Sequence, residues 1–247
     1  MRTETFVTAG PLRLVVGLVS GSVEIQTAET NEATVTVEPL NDAARRALED
    51  VRIELTGDEL VVDVEWRIGG LRFALRSPRF RVTISTPLDS RLEVSTVSAD
   101  LHASGRFAAA DLKTVSGDVA VEEIAADATV KSVSGDVRLG SVGGAAYVNT
   151  VSGDVKVTEA VRGAQIKTIS GDQAVGSVSE GSAALNSVSG DIQVGIRKGS
   201  GVWMDARSTT GKTVSELDAV DGPPSDGPLV EVRAKAVSGD IRIVRAA

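Results

Sequence analysis

The sequence predicts an all-β fold, a single-chain β-solenoid with coils of about 18 residues and one short helix near the N-terminus. The first observation behind this is a recurring Val-Ser-Gly-Asp-Val. Ser116-Gly117-Asp118, Ser134-Gly135-Asp136, Ser152-Gly153-Asp154 and Ser170-Gly171-Asp172 follow one another at a single fixed spacing. Ser189-Gly190-Asp191 comes one position late on that spacing, Ser238-Gly239-Asp240 closes the chain, and Ser98-Ala99-Asp100 precedes the series by the same interval. A fixed period of this length marks a repeat array, in which each unit buries its apolar face only against its neighbours. The second observation is composition: hydrophobic residues reach 42% and aromatics only 3%. The core is therefore thin and aliphatic, and its β-branched residues suit a pleated surface. The third is local periodicity. Val119 and Val121, Val137 and Leu139, Val155 and Val157, Ile192 and Val194, Ile241 and Ile243 stand one and three residues after their Asp. That spacing is a strand with one buried face.

The expected organisation is one domain over 1–247, with irregular coils over 1–96 and regular repeats over 97–247. Phe6-Val7-Thr8, Leu12 to Val16 and Val19 to Ile25 alternate as strands do. The last of these carries Ser20-Gly21-Ser22, the repeat motif with Ser22 in the Asp position. Thr34 to Val37 is a further strand, ended by Pro39. Asn41 to Asp50 is the helical stretch, capped by Asn41 or Asp42 and expected to cover an open end of the stack. Residues 51–65 read as a hairpin around Thr56-Gly57-Asp58-Glu59. The next segment carries Arg67, Arg72, Arg76, Arg79 and Arg81, which read as a solvated strand face paired with nearby acids. Phe80 to Ile84 and Arg91 to Val97 are strands. Ala128, Ala146 and Ala164 stand ten after an Asp, where a small side chain fits a tight corner. Gln173 takes a position where Val is expected.

Two irregularities close the chain. Ser208-Thr209-Thr210-Gly211-Lys212 is a degenerate unit with Lys212 in the Asp position, slightly more than one period after Asp191. Asp240 then lies well over one period beyond Lys212. The surplus is a loop insertion over 216–229, rich in Pro, Gly and Asp, and insertions in repeat arrays go into loops.

An alternative to the solenoid is a meander in which each unit is a hairpin turning at Gly-Asp. A hairpin alternates equally on both sides of its turn. Here the approach, such as Lys131-Ser132-Val133, alternates poorly and the departure well. The solenoid is the better reading.

The run Phe80 to Pro87, then Leu92 to Ser98, then serial Val-Ser-Gly-Asp-Val and the ending Ala236 to Ile243, resembles the bacterial "putative adhesin" β-strand-repeat family, also called Toastrack proteins. The resemblance covers almost the whole chain. It implies a single-chain β-solenoid, and the family itself has no settled biochemical activity.

The net charge of −8 and a pI near 4.8 disfavour a nucleic-acid binder, which needs a basic face. There are no cysteines, which excludes disulfide and thiol chemistry. No run approaches the roughly 18 apolar residues of a membrane span, and nothing at the start reads as a signal peptide, so the expected location is cytoplasmic.

The repeated Gly reads as a corner residue with positive φ, and the Asp or Ser as a partner for nearby backbone amides. Stacked aspartates repel by about 0.9 kcal/mol per adjacent pair in water, which the ladder of Lys113, Lys131, Asn149, Lys167, Asn186 and Lys235 can offset. The alternative for Asp118, Asp136, Asp154, Asp172 and Asp191 is calcium, which wants several carboxylate and carbonyl oxygens. Calcium-binding β-rolls repeat a denser glycine motif at a much shorter period, so no metal and no cofactor is expected. Catalysis is not expected either. His102 is the lone histidine and reads as a surface residue, and a uniform ladder is the opposite of a differentiated acid/base pair. Thr210-Gly211-Lys212-Thr213 lacks the first glycine of a phosphate loop. Trp203 reads first as a core filler and otherwise, with Lys212, as a partner surface. The expected function is a non-enzymatic scaffold presenting side-chain ladders to a protein partner or to itself. The alternative is a carbohydrate-binding or carbohydrate-cleaving solenoid.

Overall fold

The computed structural model describes residues 1–64, 77–217 and 227–246. Arg67, Arg72, Arg76 and most of the 216–229 insertion lie outside the described residues. The chain divides into two compact units, 1–122 and 123–247.

In the first unit, strands β1 (Arg2–Val7), β2 (Arg13–Ala28) and β3 (Glu32–Pro39) precede helix α1 (Asp42–Ala47) and a 3-10 turn at Leu48–Asp50. Asn41 caps the helix as expected, its Oδ1 accepting the Ala44 N–H at 2.8 Å. Strands β4 (Arg52–Thr56) and β5 (Glu59–Asp63) form the expected hairpin, with Gly57 at φ 65 in a tight turn. Next come β6 (Phe80–Pro87), β7 (Arg91–Phe107), β8 (Ala110–Thr114) and β9 (Val119–Ile124).

The earliest long strand is an inner one. β2 runs parallel to β5 and β6 on one side and to β7 on the other, so Val23 pairs with both Val82 and Leu101. Arg13 clamps both sides, bonding Glu59 at 2.8 Å and Glu93 at 2.6 Å. Ser20-Gly21-Ser22 stacks on Ser98-Ala99-Asp100, which places Ser22 in the Asp column. β3 pairs antiparallel with β6, and β1 with β3.

The second unit is a regular solenoid. Each coil has two strands and two corners. One parallel ladder holds β10 (Ala128–Lys131), β12 (Ala146–Asn149), β14 (Gly163–Ser170) and β16 (Gly181–Ser189). The other holds β11 (Val137–Val142), β13 (Val155–Ala160), β15 (Gln173–Val178) and β17 (Ile192–Ile196). Ala128 pairs with Ala146 and Ala146 with Ala164, so each coil advances the chain by one period of the motif. A hairpin meander would have paired these strands antiparallel. In-register parallel stacking fixes the period, because a one-residue slip would turn every buried side chain outward.

Inside a coil, Ala146, Val148 and Thr150 face Val155, Val157 and Ala160, all buried. Each buried Val contributes about 1.5–3 kcal/mol of hydrophobic stabilisation. A small residue at the start of the first strand and a hydroxyl at its end keep the coil narrow near both corners.

The last two coils are stacked out of chain order. β18 (Gly201–Ser208) and β19 (Thr213–Ser215) follow β17 in sequence, yet β20 (Leu229–Ser238) and β21 (Ile241–Arg245) take the places beside β16 and β17. β18 then pairs with β20, and β19 with β21. The spatial order of the corners is therefore Asp191, Asp240, Lys212. The chain thus leaves β19 on the outer coil and resumes in β20 one layer inward.

Candidate functional site: the corner and the ladders beside it

The Ser-Gly-Asp corner is built by backbone need. Gly117, Gly135, Gly153, Gly171, Gly190 and Gly239 have φ between 120 and 147, a region that glycine alone enters readily. A Cβ on Gly171 would strike the carbonyl oxygen of Gly153 one coil away. Ala99 has no positive φ, although Gly21, its partner in the column, has φ 131, so the corner at Ala99 turns differently.

The aspartates do the stacking. Asp100 Oδ1 accepts the Asp118 N–H at 3.0 Å in the first unit. In the second, Asp136 accepts from Asp154 at 3.0 Å, Asp154 from Asp172 at 2.9 Å and Asp172 from Asp191 at 2.8 Å. Asp191 accepts from Asp240 at 2.7 Å, and Asp240 from the Lys212 N–H at 2.8 Å. Each carboxylate thus satisfies the amide that a tight corner leaves without a sheet partner. Lys212 stands last in the file among the described residues, its own N–H donating to Asp240. Among the described residues no three His, Cys, Asp or Glu side chains converge as a metal site. The five aspartates considered for calcium stand one to a coil.

Behind the corner runs a buried hydroxyl file. Thr96 Oγ1 donates to Thr114 Oγ1 at 2.9 Å in the first unit, and Thr168 Oγ1 to Ser187 Oγ at 3.2 Å in the second. Gln173 joins this file. Its side chain is 1% exposed, and Nε2 donates to Thr168 Oγ1 at 2.8 Å and to Asn186 O at 2.7 Å. Among the described residues Gln173 Oε1 has no hydrogen-bond partner.

In front of the corner, two ladders run along the outer face of the β10–β12–β14–β16–β20 sheet. Three residues before each Asp stands an exposed aliphatic side chain: Val133, Val151, Ile169, Val188 and Val237, each 45–54% exposed. Two residues earlier stand Lys131, Asn149, Lys167, Asn186 and Lys235, in register with one another. In the first unit Lys113 pairs with Asp111 at 3.6 Å, and in the second Asp136 of the file pairs with Arg138 at 2.7 Å. The aliphatic file has the same period as the buried positions and the opposite facing.

Trp203 is 50% exposed on β18, so it does not fill the core. The Arg233 guanidinium lies 5.8 Å from its ring centroid and also pairs with Glu231. Lys212 and Trp203 share the outermost coil of the second unit. His102 is exposed opposite Glu24. Arg81 pairs with Glu38 at 3.0 Å, as expected of a solvated strand face, and Arg79 is exposed. Elsewhere, a hydrogen bond from Arg52 holds the exposed Glu54 carboxyl below its ordinary range, and one to Glu93 holds the Arg13 guanidinium above its own. No helix of the described residues is long and apolar enough to cross a membrane.

A family model described as Toastrack DUF4097 matches residues 13–244. No curated protein matches the chain. Among solved structures, one described as a "putative adhesin" from Bacteroides fragilis is 12% identical, with a TM-score of 0.56 over 98% of this chain and 96% of its own. A "putative lipid binding protein" from Parabacteroides distasonis is also 12% identical, at a TM-score of 0.40 over 100% of this chain and 96% of its own. At such identity the first likeness is one of fold alone.

Proposed function

The chain belongs to the Toastrack family, and from that premise we propose that it is a non-enzymatic interaction module, presenting stacked side-chain ladders to a protein partner or to itself. The observation that carries this reading is the exposed aliphatic file of the second unit, Val133 to Val237. Soluble monomers rarely leave contiguous apolar surface in the open unless it binds something. The corner residues are consumed by structure: the Gly by its φ, the Asp by the next amide. The outer faces are what remains for recognition.

The test is affinity capture with the wild-type chain and with Ile169→Lys, followed by direct binding to the purified partner. The reading expects a partner held by the wild type and released at least tenfold more readily by the variant. Equal binding by both chains would remove the aliphatic file from the function.

Trp203 supports a second reading, carbohydrate binding, because a half-exposed indole offers a stacking face. A glycan array read with wild type and Trp203→Ala tests it, and a blank array disposes of it.

A further inference from the structure

We propose that the aliphatic face of the second unit binds a second copy of this chain, side by side and parallel, about a two-fold axis running along the ladder. This deepens the interaction-module reading and rests on it.

The order of charge across the face carries the proposal. Walking along each coil, a cation or amide stands five residues before the Asp, the aliphatic residue three before it, and the Asp follows at the corner. Stacked in register, these become a cationic file (Lys131, Lys167, Lys235), an aliphatic file and an anionic file (Asp154, Asp172, Asp191, Asp240). The aspartates accept only uncharged amides within the file, and all four are exposed. Among the described residues no carboxylate lies within ion-pair distance of the three lysines.

Two faces can meet about two kinds of in-plane two-fold axis. An axis across the ladder preserves the order of the files, so cations meet cations. An axis along the ladder reverses it. Cations then meet anions, and aliphatic meets aliphatic at the centre. Only the second arrangement is charge-complementary. The spacing adds a further constraint. The files rise by about 4.8 Å per coil, the strand separation of a sheet, and rung-by-rung matching over successive coils requires a partner with the same rise. A second copy has that rise and the complementary order. An apolar centre with a charged rim is the usual anatomy of a protein interface.

The chain has no cysteine, so single-cysteine variants report contacts cleanly. Val133→Cys, Ile169→Cys and Val237→Cys would be oxidised separately and as mixtures, beside sedimentation of the wild type from micromolar to near-millimolar concentration. The parallel dimer expects each variant to form its own disulfide-linked dimer, and the wild-type dimer to dissociate with added salt. Ile169→Lys should be monomeric with an unchanged thermal midpoint. Asp154→Asn with Asp172→Asn should weaken the dimer at least several-fold, since Asn keeps the amide acceptor and removes the charge. Three results would overturn it: a wild-type monomer at every concentration, self-coupling of Ile169→Cys alone with Val133→Cys coupling to Val237→Cys, or a dimer indifferent to Ile169→Lys. A monomer that still captures a different protein through Ile169 would leave the module reading standing and remove only the self-docking.

Discussion

Asp154 Oδ1 accepts the backbone N–H of Asp172 at 2.9 Å, and the same bond repeats from each corner to the next through Asp240 and Lys212. The repeated carboxylate is an acceptor for a backbone donor that the turn leaves unpaired. Asp172→Ala strands the Asp191 N–H and should cost about 0.5–1.5 kcal/mol, water replacing part of the lost bond at an exposed corner. Asp172→Asn keeps the oxygen and should cost less than half as much. Urea midpoints of the two variants check this, and equal losses would mean that the charge, not the acceptor, matters for the fold.

Two glycines with positive φ separate strain from collision. Gly57 has φ 65 in the β4–β5 turn, with nothing within 4 Å of a Cβ placed there. Gly57→Ala should cost about 1 kcal/mol, the penalty of the left-handed region. Gly171 has φ 124 and would drive its Cβ into the Gly153 carbonyl. Because stacking holds both corners, Gly171→Ala should cost at least twice as much and be poorly soluble. Thermal midpoints rank the pair; an equal ranking would mean that the corner relaxes freely.

The coil length was legible because parallel stacking in register forces equal spacing, and the even spacing from Ser116 to Ser170 is that register written in the chain. The motif also locates Ser22 in the Asp column. What spacing does not encode is which coil lies beside which. Asp191, Lys212 and Asp240 appear in that order along the chain, and the stack places Asp240 between the other two. Lys212 itself was the legible signal, since only the last member of an acceptor file can dispense with its acceptor. Trp203 fails as a core filler because of its register: it pairs with Glu231 on the outer face, while its neighbours Val202 and Met204 pair with the buried Val230 and Val232. The aliphatic residue three before each Asp belongs to the motif as plainly as the Gly. Its outward facing shows only once Thr150 and Thr168, one residue earlier, prove to be the inward ones.

Gln173 occupies a column filled by Val155 below and Ile192 above. Its amide donates twice, while Oε1 is buried without a hydrogen-bond partner among the described residues. An unsatisfied buried oxygen costs about 1–3 kcal/mol. Gln173→Leu removes it at nearly constant volume and releases two acceptors, one a hydroxyl that can rotate to another bond. The variant should be more stable by about 1 kcal/mol, read as a higher urea midpoint at unchanged slope. A destabilised variant would show that the two donated bonds outweigh the orphaned oxygen.

The inverted order of the last two coils makes the outer one depend on residues that follow it in sequence. β18 pairs with β20 and β19 with β21, and neither has another strand partner among the described residues. Deleting residues 229–247 therefore removes the inner coil and leaves 201–215 with nothing to stack on. In a solenoid, stability is close to a sum of coil terms and nearest-neighbour interfaces. The chain cut after Pro228 should then match the chain cut after Gly199 in stability to within about 1 kcal/mol, both having lost the same interfaces. Arg207 and Lys212 should become tryptic sites in the longer truncation, while the intact chain protects Arg207 within β18. Hydrogen exchange would show 201–215 unprotected and β16 and β17 still slow. Protection persisting over 201–208 without β20 would mean that the outer coil can dock directly on β16, and that the inserted position of the C-terminal strands is a convenience of chain path and not a requirement of the stack.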